Sequence, residues 1–335
     1  MQAVRWLGCL AGLVLLAGTS LSVLHTVAGP RGRTSRLAAH LGRSVERAGR
    51  FGARRLRSRR ARDRLLVLVG PTAFLVVLFA WLACYVVGYG LIGWPLLHNL
   101  AWAMRLAGSS VFTLGFAVPA GAGQTVLAFV AASTGLVVVT LELAYLPSLY
   151  AAYNRREAAV TQLAARCTGS VNGVHLLLTH LRQDWADGLT ALFAAWELWA
   201  ADVRETHTNY PILISFRASD PAASWPFALL AVLDAAALQL LLTPGERAPQ
   251  ARATLRIGIA TLQSVAPRDV PDSGIADIDL DAVLRELRDA GCPVPADPSA
   301  CARRLREYRS RYAPAVSALA DLLLLDPPGA ADDSQ

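Results

Sequence analysis

The sequence from Pro95 to Tyr150 decides the fold that this chain predicts. It begins with an amphipathic segment, Leu96 to Phe112, passes through Thr113-Leu114-Gly115-Phe116 into a turn with glycine and proline, and ends in a long apolar run. This is the order of a pore loop followed by an inner helix. Irregular backbone at membrane depth is tolerated only where it is buried in protein or lines water. Ion filters use such carbonyl oxygens to replace the hydration shell of an ion.

The four residues Thr113, Leu114, Gly115 and Phe116 resemble the filter of the potassium-channel pore-loop family, whose usual form is Thr-Val-Gly-Tyr-Gly. Thr113, Gly115 and the aromatic Phe116 match that pattern, whereas Leu114 replaces a β-branched residue. Ala117 stands where the family has its second glycine. Alanine costs about 1 kcal/mol or more at a positive φ that glycine adopts freely. The resemblance implies a selectivity filter at these four residues and leaves its preference for potassium open.

Composition favours a membrane protein. Of 335 residues, 54% are hydrophobic and 17% are charged, and the mean hydropathy is +0.39. Soluble domains usually carry about 25% charged residues. Residues 4–27, Leu65–Ile92 and 124–150 each form an apolar run long enough to cross about 30 Å of hydrocarbon. The first run shares its charged start with a secretory signal peptide, which is the competing interpretation; we expect an uncleaved span.

Arginine is concentrated between the first two apolar runs, in a stretch that we call the Arg-rich tract, 29–64. It contains 13 arginines and only two acidic residues, Glu46 and Asp63. Basic residues near spans remain on the cytoplasmic side, so we expect the N-terminus outside and no binding of nucleic acid. Residues 37–55 predict either an interfacial helix that binds anionic lipids or a solvated linker, and both alternatives stay open.

These patterns predict an all-α membrane protein with three transmembrane helices and one re-entrant pore loop, followed by a helical cytoplasmic domain. We expect a multi-pass protein of the cell membrane. The predicted segments are an N-terminal transmembrane helix at 1–28, the tract at 29–64, a pore domain at 65–153 (outer helix 65–92, pore helix and filter-like loop 96–117, inner helix 124–150), a cytoplasmic helical domain at 154–327 and a disordered tail at 328–335.

The predicted pore helix, from His98 to Phe112, has about the length that reaches mid-membrane without crossing it. Its carboxyl end would direct the negative end of the helix dipole at the bilayer centre, where it favours a cation. Arg105 lies inside this segment. It would reach the outer interface, pair with a neighbouring subunit, or repel cations and so oppose conduction.

Two positions on the inner helix are further candidates. Gly135 is either a hinge or the site of a close contact between helices. Glu142 would line the inner vestibule and concentrate cations, or it would form an ion pair with Arg155 or Arg156. Pro147 is expected to break the helix.

The chain is also similar, over nearly its whole length, to a bacterial family of membrane proteins described as two-pore-domain or ion-channel-like potassium channels. That family implies conduction of a monovalent cation, potassium first. Only one pore loop is present in this chain, so a pore would require a homotetramer. The motifs that carry the resemblance are Gly29-Pro30-Arg31-Gly32, Phe112-Thr113-Leu114-Gly115-Phe116, Tyr145-Leu146-Pro147 with Tyr150, Arg155-Arg156-Glu157, Trp196-Glu197-Leu198-Trp199, Glu205-Thr206-His207 with Tyr210-Pro211, and Ser224-Trp225 with Leu233-Asp234.

The cytoplasmic half contains one further apolar stretch, Trp225–Leu242. Asp234 lies at its centre, where a charge costs about 3 kcal/mol on insertion scales. We therefore expect a buried helix of the cytoplasmic domain and keep a fourth span as the alternative. Possible residues of a cytoplasmic sensor pocket, with buried ion pairing as the alternative, are Trp196, Glu197, Glu205, His207 and Arg217.

Motifs of enzymes and metal sites are missing from the sequence. It has no phosphate-binding loop, no nucleophile elbow and no zinc-binding His or Cys pattern, and its five cysteines include no Cys-x-x-Cys pair. We expect no enzyme activity, no cofactor and no metal. The sequence thus predicts an oligomeric cation channel with a cytoplasmic regulatory or assembly domain. The alternative is a non-conducting membrane scaffold or signalling protein that retains a pore-domain fold.

Overall fold

The computed structural model describes residues 2–27, 35–167, 171–182, 186–218, 224–242, 248–267, 275–289, 294–295 and 297–325. Every regular element in these ranges is a helix. Contacts divide the chain into two compact units, residues 1–151 and 152–335. The elements are α1 Gln2–Val27, α2 Arg36–Arg55, α3 Arg59–Leu97, α4 Leu100–Val111, α5 Ala122–Arg166, α6 Gly173–Arg182, α7 Ala186–Asn209, a 3₁₀ turn Pro211–Ser215, α8 Trp225–Leu242, α9 Pro249–Val265, α10 Leu280–Asp289, α11 Pro298–Arg309 and α12 Ala313–Leu323.

The first unit is built on an antiparallel pair, α1 and α3. Their glycines permit close packing, since a Cβ added at Gly12 would lie 2.7 Å from the carbonyl oxygen of Gly88. Further along the pair, the hydroxyls of Ser20 and Tyr85 are 3.0 Å apart. Small residues that let two helices approach are typical of helix pairs in membranes.

Helix α5 runs antiparallel to α3 in the same unit. The hydroxyls of Tyr89 and Thr134 are 2.6 Å apart, and the rings of Phe74 and Tyr145 stack with centroids 6.1 Å apart. Both α1 and α5 therefore flank the second half of α3, from about Phe74 onwards. Helix α3 itself extends beyond both ends of the predicted outer helix, 65–92.

The Arg-rich tract contains a helix, α2; its position at a membrane interface and its binding of anionic lipids stay predictions. The hydroxyl of Ser35 caps it by accepting from the N–H of Ala38 at 3.0 Å. Gly49 and Gly52 face α3: a Cβ added at Gly49 would lie 2.4 Å from the side chain of Val69, and one at Gly52 would lie 3.2 Å from that of Leu65. Helix α2 thus packs on Leu65 and Val69, which were predicted as part of the outer span. The Gly29–Gly32 motif lies outside the described residues, as does the predicted tail.

Helix boundaries differ from the prediction at two places. Residues 96 and 97 belong to α3, and the helix predicted as a pore helix, α4, begins only at Leu100. The predicted break at Pro147 is wrong, because α5 continues through it to Arg166. A proline inside a helix removes one hydrogen bond and costs about 3 kcal/mol. Apolar and alanine-rich turns on both sides, which already favour helix, offset that loss.

The second unit is a helical domain with its own core. Helices α7 and α9 lie parallel and are tied by two threonine hydroxyls, which donate to carbonyl oxygens across the pair. Thr254 donates to Phe193 at 2.8 Å and Thr261 donates to Ala200 at 2.9 Å. These bonds let threonine pack inside a core without leaving an unsatisfied hydroxyl.

Helix α8 is the centre of the second unit. Four helices, α1, α3, α5 and α8, have the length and apolar composition to span a membrane, but only α8 has most of its surface covered by its own unit. Asp234 in its middle accepts from the hydroxyl of Tyr312 at 2.6 Å and faces Arg309 at 3.3 Å. A paired carboxylate at this point suits the predicted buried helix.

Candidate functional site

Helix α4 ends in the turn that carries the four filter-like residues. Its first turn is capped by Asn99, whose side-chain oxygen accepts from the N–H of Trp102 at 3.2 Å. One face, with Ala103 and Leu106, is buried. A Cβ added at Gly90 would lie 2.4 Å from the sulfur of Met104, so α4 packs closely along α3.

Ser109 organises the turn after α4, which we call the filter-like loop, Thr113–Phe116. Its carbonyl oxygen accepts from the N–H of Leu114 at 2.8 Å, and its hydroxyl accepts from the N–H of Ala117 at 3.0 Å. The N–H of Thr113 donates to the carbonyl oxygen of Ser110 at 2.9 Å. The amide groups of the loop thus point back at the end of α4. Sequence reasoning missed Ser109, because nothing in its spacing marks it.

The carbonyl oxygens of the filter-like loop have no such partners. Among the hydrogen bonds of the described residues, none ends on a carbonyl oxygen between Thr113 and Phe116. The side chains of Leu114 and Phe116 are 64% and 53% exposed. The loop therefore presents free acceptors and apolar side chains on one surface, which is chemically suited to hold a cation or to meet another chain.

Backbone strain in this loop differs from the expectation. Ala117 does not have the positive φ that its alignment with a family glycine suggested, so the predicted cost there is absent. The positive φ values are instead 52° at Thr113 and 73° at Gly115. Glycine adopts this conformation freely, whereas a β-branched threonine is strained in it.

The end of α4 packs against Gly135 of α5. A Cβ added there would lie 2.0 Å from the carbonyl oxygen of Val111, and α5 is helical on both sides. This geometry is the close contact between helices; a hinge at Gly135 stays a prediction. Gly135 is about 18 Å along α5 from Gly123 and about 15 Å before Tyr145. The filter-like loop thus lies near the middle of the apolar part of α5.

A positive charge lies next to the loop. The guanidinium carbon of Arg105 is 5.4 Å from the ring centroid of Phe116 and 5.6 Å from that of Trp102. Both distances are within the range of a cation–π contact. Arg105 is therefore held on the aromatic surface beside the carbonyl oxygens rather than buried in an ion pair of its own unit.

Glu142 lies on the covered face of α5, where it is 5% exposed. Its Oε2 has no hydrogen-bond partner among the described residues. Its two proposed partners are engaged elsewhere, since Arg155 binds Asp202 at 3.1 Å and Arg156 binds Glu157 at 2.7 Å. The structure thus supports neither the predicted ion pair nor an exposed position for Glu142; its role in a vestibule stays a prediction.

The five predicted pocket residues do not form one pocket. Glu197 bonds to Gln250 on α9, and Glu205 bonds to Asn209 at the surface. The ring of Trp196 packs at a tilt of 48° against that of Trp199, with ring centroids 4.5 Å apart. Only His207 and Arg217 belong to the region around the start of α8, where they contribute to two separate features described below.

His207 belongs to a buried network that sequence reasoning missed, the Arg156 cluster, formed by Arg156, Glu157, His207 and Trp225. The guanidinium of Arg156 is 1% exposed. It donates to the carbonyl oxygens of Leu213 at 3.0 Å and Phe216 at 2.6 Å, and it contacts Nε2 of His207 at 2.9 Å. The signal in the sequence was the Arg155-Arg156-Glu157 motif, which does not reveal which arginine is buried.

The bonds of His207 fix its tautomer. Nδ1 lies 2.9 Å from the carbonyl oxygen of Val203, so Nδ1 carries the proton and donates. Nε2 then accepts from Arg156, which can only donate. Burial, followed by the charge of Arg156, lowers the pKa of His207 to about 3. The imidazole is neutral at physiological pH and acts as an acceptor for the arginine.

No family model, no curated protein and no solved structure matches the chain. In the part of the chain that the structure describes, no cluster of His, Cys, Asp or Glu could hold a metal ion. The residues that bear on function are therefore those of the filter-like loop and of the second unit.

Proposed function

We propose that the protein is an oligomeric cation channel, with the filter-like loop as its constriction and the second unit as a cytoplasmic regulatory or assembly domain. In this proposal α1, α3 and α5 span the cell membrane and α4 with its loop re-enters from the outer side. The N-terminus is outside, and potassium is the first ion to test.

One observation carries the proposal: the amide groups of Thr113, Leu114 and Gly115 donate to the carbonyl oxygens of Ser109 and Ser110, while no hydrogen bond among the described residues ends on a carbonyl oxygen of the loop. Free carbonyl groups at the middle of an apolar helix pair are costly unless they line water or bind an ion. A ring of such carbonyls replaces the hydration shell of a cation. The carboxyl end of α4 adds the negative end of its dipole at the same place.

A ring requires several copies of the chain. The exposed side chains of Leu114 and Phe116 offer apolar surface that neighbouring copies would cover. A closed cyclic arrangement satisfies such a surface on every copy. One loop per chain gives a homotetramer if the pore has the four-fold symmetry of the channels that the loop resembles.

The Arg-rich tract would lie at the cytoplasmic surface in this arrangement. Arg43, Arg47, Arg54 and Arg55 are exposed on α2, whereas Ala53 is buried. We propose that this exposed face binds anionic lipid headgroups, each arginine near the surface contributing about 1 kcal/mol.

Flux into liposomes tests the channel. Purified protein is reconstituted, and uptake of potassium is compared with uptake into empty liposomes and into liposomes that hold an established channel. We expect flux from the unmodified chain and a reduced flux from Ser109→Ala, which loses the bond to Ala117. Ser110→Ala is the matched control, because its hydroxyl makes no bond to the loop. No flux above that of empty liposomes, while the established channel conducts, would contradict the proposal.

The position of Arg105 favours a second candidate, a non-conducting membrane scaffold or signalling protein. A guanidinium held beside the carbonyl oxygens repels cations that approach from the same side. The oligomeric state separates the two functions, because a monomer or dimer cannot close a four-fold ring. Measurement of mass in detergent micelles gives this result without any assay of flux.

A further inference from the structure

A small cavity lies at the start of α8 in the second unit, remote in sequence from the filter-like loop. It has a volume of 10 Å³, which is close to the least that holds one water-sized particle. None of the described residues that line it is acidic. Six of them are Phe216, Arg217, Ser224, Trp225, Leu323 and Leu325.

Two polar groups in this wall are buried. Among the described residues, neither the hydroxyl of Ser224 nor the indole Nε1 of Trp225 finds a hydrogen-bond partner, although the two residues are only 5% and 2% exposed. Native proteins leave few buried polar groups unmatched, because each unmatched group is unfavourable. A bound ligand or a water molecule is therefore expected to satisfy them.

The position of Ser224 before the first turn of α8 makes its lack of a partner among the described residues unusual. Its carbonyl oxygen accepts the first helical bond of α8, from the N–H of Ala228 at 3.0 Å. A serine in this position normally turns its hydroxyl onto the N–H groups of the first turn. Here the hydroxyl makes no such cap and stays available to the cavity instead.

The described residues around the cavity bring positive charge to it. The first N–H groups of a helix lack intrahelical partners and carry the positive end of the helix dipole. Arg217, which is 7% exposed, adds a guanidinium to the same wall. The indole N–H of Trp225 can only donate. Donors at the amino end of a helix are the arrangement that proteins use to bind anions.

We propose that this cavity binds a single anionic atom, either a halide ion or the terminal oxygen of a phosphate or carboxylate. The hydroxyl of Ser224 and the indole N–H of Trp225 donate to it, and Arg217 with the amino end of α8 supplies the positive field. Trp225 is also a member of the Arg156 cluster, where its ring centroid lies 5.5 Å from that of His207.

The test uses the full chain in detergent micelles, purified in hexafluorophosphate, an anion that is too large for the cavity and has no oxygen atom to enter it. Chloride, phosphate or acetate replaces hexafluorophosphate at constant ionic strength while the unfolding temperature is recorded. We expect a saturable rise with at least one anion. Ser224→Ala and Trp225→Phe each remove one donor and are expected to raise the half-saturating concentration about tenfold. Ser264→Ala, whose hydroxyl bonds only within its own helix, is the control.

The response to each anion identifies the class of ligand. Saturation with chloride alone assigns a halide, and saturation with phosphate or acetate assigns an oxyanion. An equal unfolding temperature in all four anions would overturn the proposal and leave a water molecule in the cavity, as would saturation that both donor variants leave unchanged. If Trp225→Phe does not fold, Ser224→Ala and the anomalous signal of bromide in crystals decide. Bromide between Ser224 and Trp225 supports the site, and its absence there together with unchanged saturation in Ser224→Ala overturns the proposal.

Discussion

The filter-like loop and the Arg156 cluster both place polar groups in apolar surroundings, and they satisfy them in opposite ways. In the cluster, the donors of Arg156 reach two carbonyl oxygens, the imidazole of His207 and the carboxylate of Glu157 within the same unit. In the loop, the amide groups are bonded by Ser109 and Ser110, but the carbonyl oxygens receive no bond from the described residues.

Polar groups that stabilise the fold thus differ from polar groups that can bind a ligand. A network that is completed inside the chain stabilises one arrangement of helices and needs nothing further. A set of acceptors left open gains its partners from outside the chain, from an ion, from water or from another copy. Variants of the two regions are accordingly expected to differ in kind: those in the cluster change stability, and those in the loop change what the surface can bind.

The largest effect is expected from Arg156→Met. It would leave Nε2 of His207 and the carbonyl oxygens of Leu213 and Phe216 buried without a donor, and loss of one partner from a buried charged network costs about 3 to 5 kcal/mol. Arg155→Met is the matched control: the neighbouring ion pair to Asp202 is exposed, so about 1 kcal/mol or less is expected. Denaturant unfolding monitored by hydrogen exchange in α7 measures both, and equal losses would contradict the asymmetry.

Gly135→Ala tests the contact that positions the loop. The added Cβ would lie 2.0 Å from the carbonyl oxygen of Val111, which is backbone and cannot move alone. Overpacking of this kind costs about 2 to 3 kcal/mol, and the end of α4 must shift. Gly18→Ala is the control, since a Cβ there meets nothing within 4 Å. Unfolding in mixed detergent micelles gives the two stabilities. A neutral Gly135→Ala variant would mean that α4 does not end against α5.

The stability of the second unit is expected to fall in acid because of His207. Its pKa in the folded chain is about 3, whereas unfolded histidine titrates near 6.5. Between these values only the unfolded state takes up the proton, so stability is complete above about pH 6.5 and declines as the pH falls towards 3. The protonation of His207 alone lowers the free energy of unfolding by about 2 kcal/mol at pH 5. His207→Gln should flatten this dependence and His175→Gln should not; hydrogen exchange between pH 5 and 7 measures both.

The sequence was sufficient to predict the helices that depend on local composition. The apolar runs became α1, α3, α5 and α8, and the short segment before Thr113 became α4, because length and apolar character are readable from a single stretch. The Arg156 cluster was not predictable, since Arg156 and His207 are 51 positions apart and only the packing of α5 beside α7 joins them. The continuation of α5 through Pro147 was missed because the proline signal was given more weight than the helix-forming residues on both sides of it.

The smallest effect is expected at Gly115, where the comparison between the two regions is sharpest. Its φ of 73° is maintained by the short-range bonds to Ser109 and Ser110 and not by packing, because a Cβ there meets nothing within 4 Å. Gly115→Ala should therefore cost only the intrinsic strain of alanine at positive φ, about 1 kcal/mol. Gly121→Ala, in equally open space without a positive φ, should cost less. Unfolding of both variants in mixed micelles measures the difference. Equal stabilities would mean that the turn relaxes freely, so that its carbonyl oxygens are not held ready for a ligand.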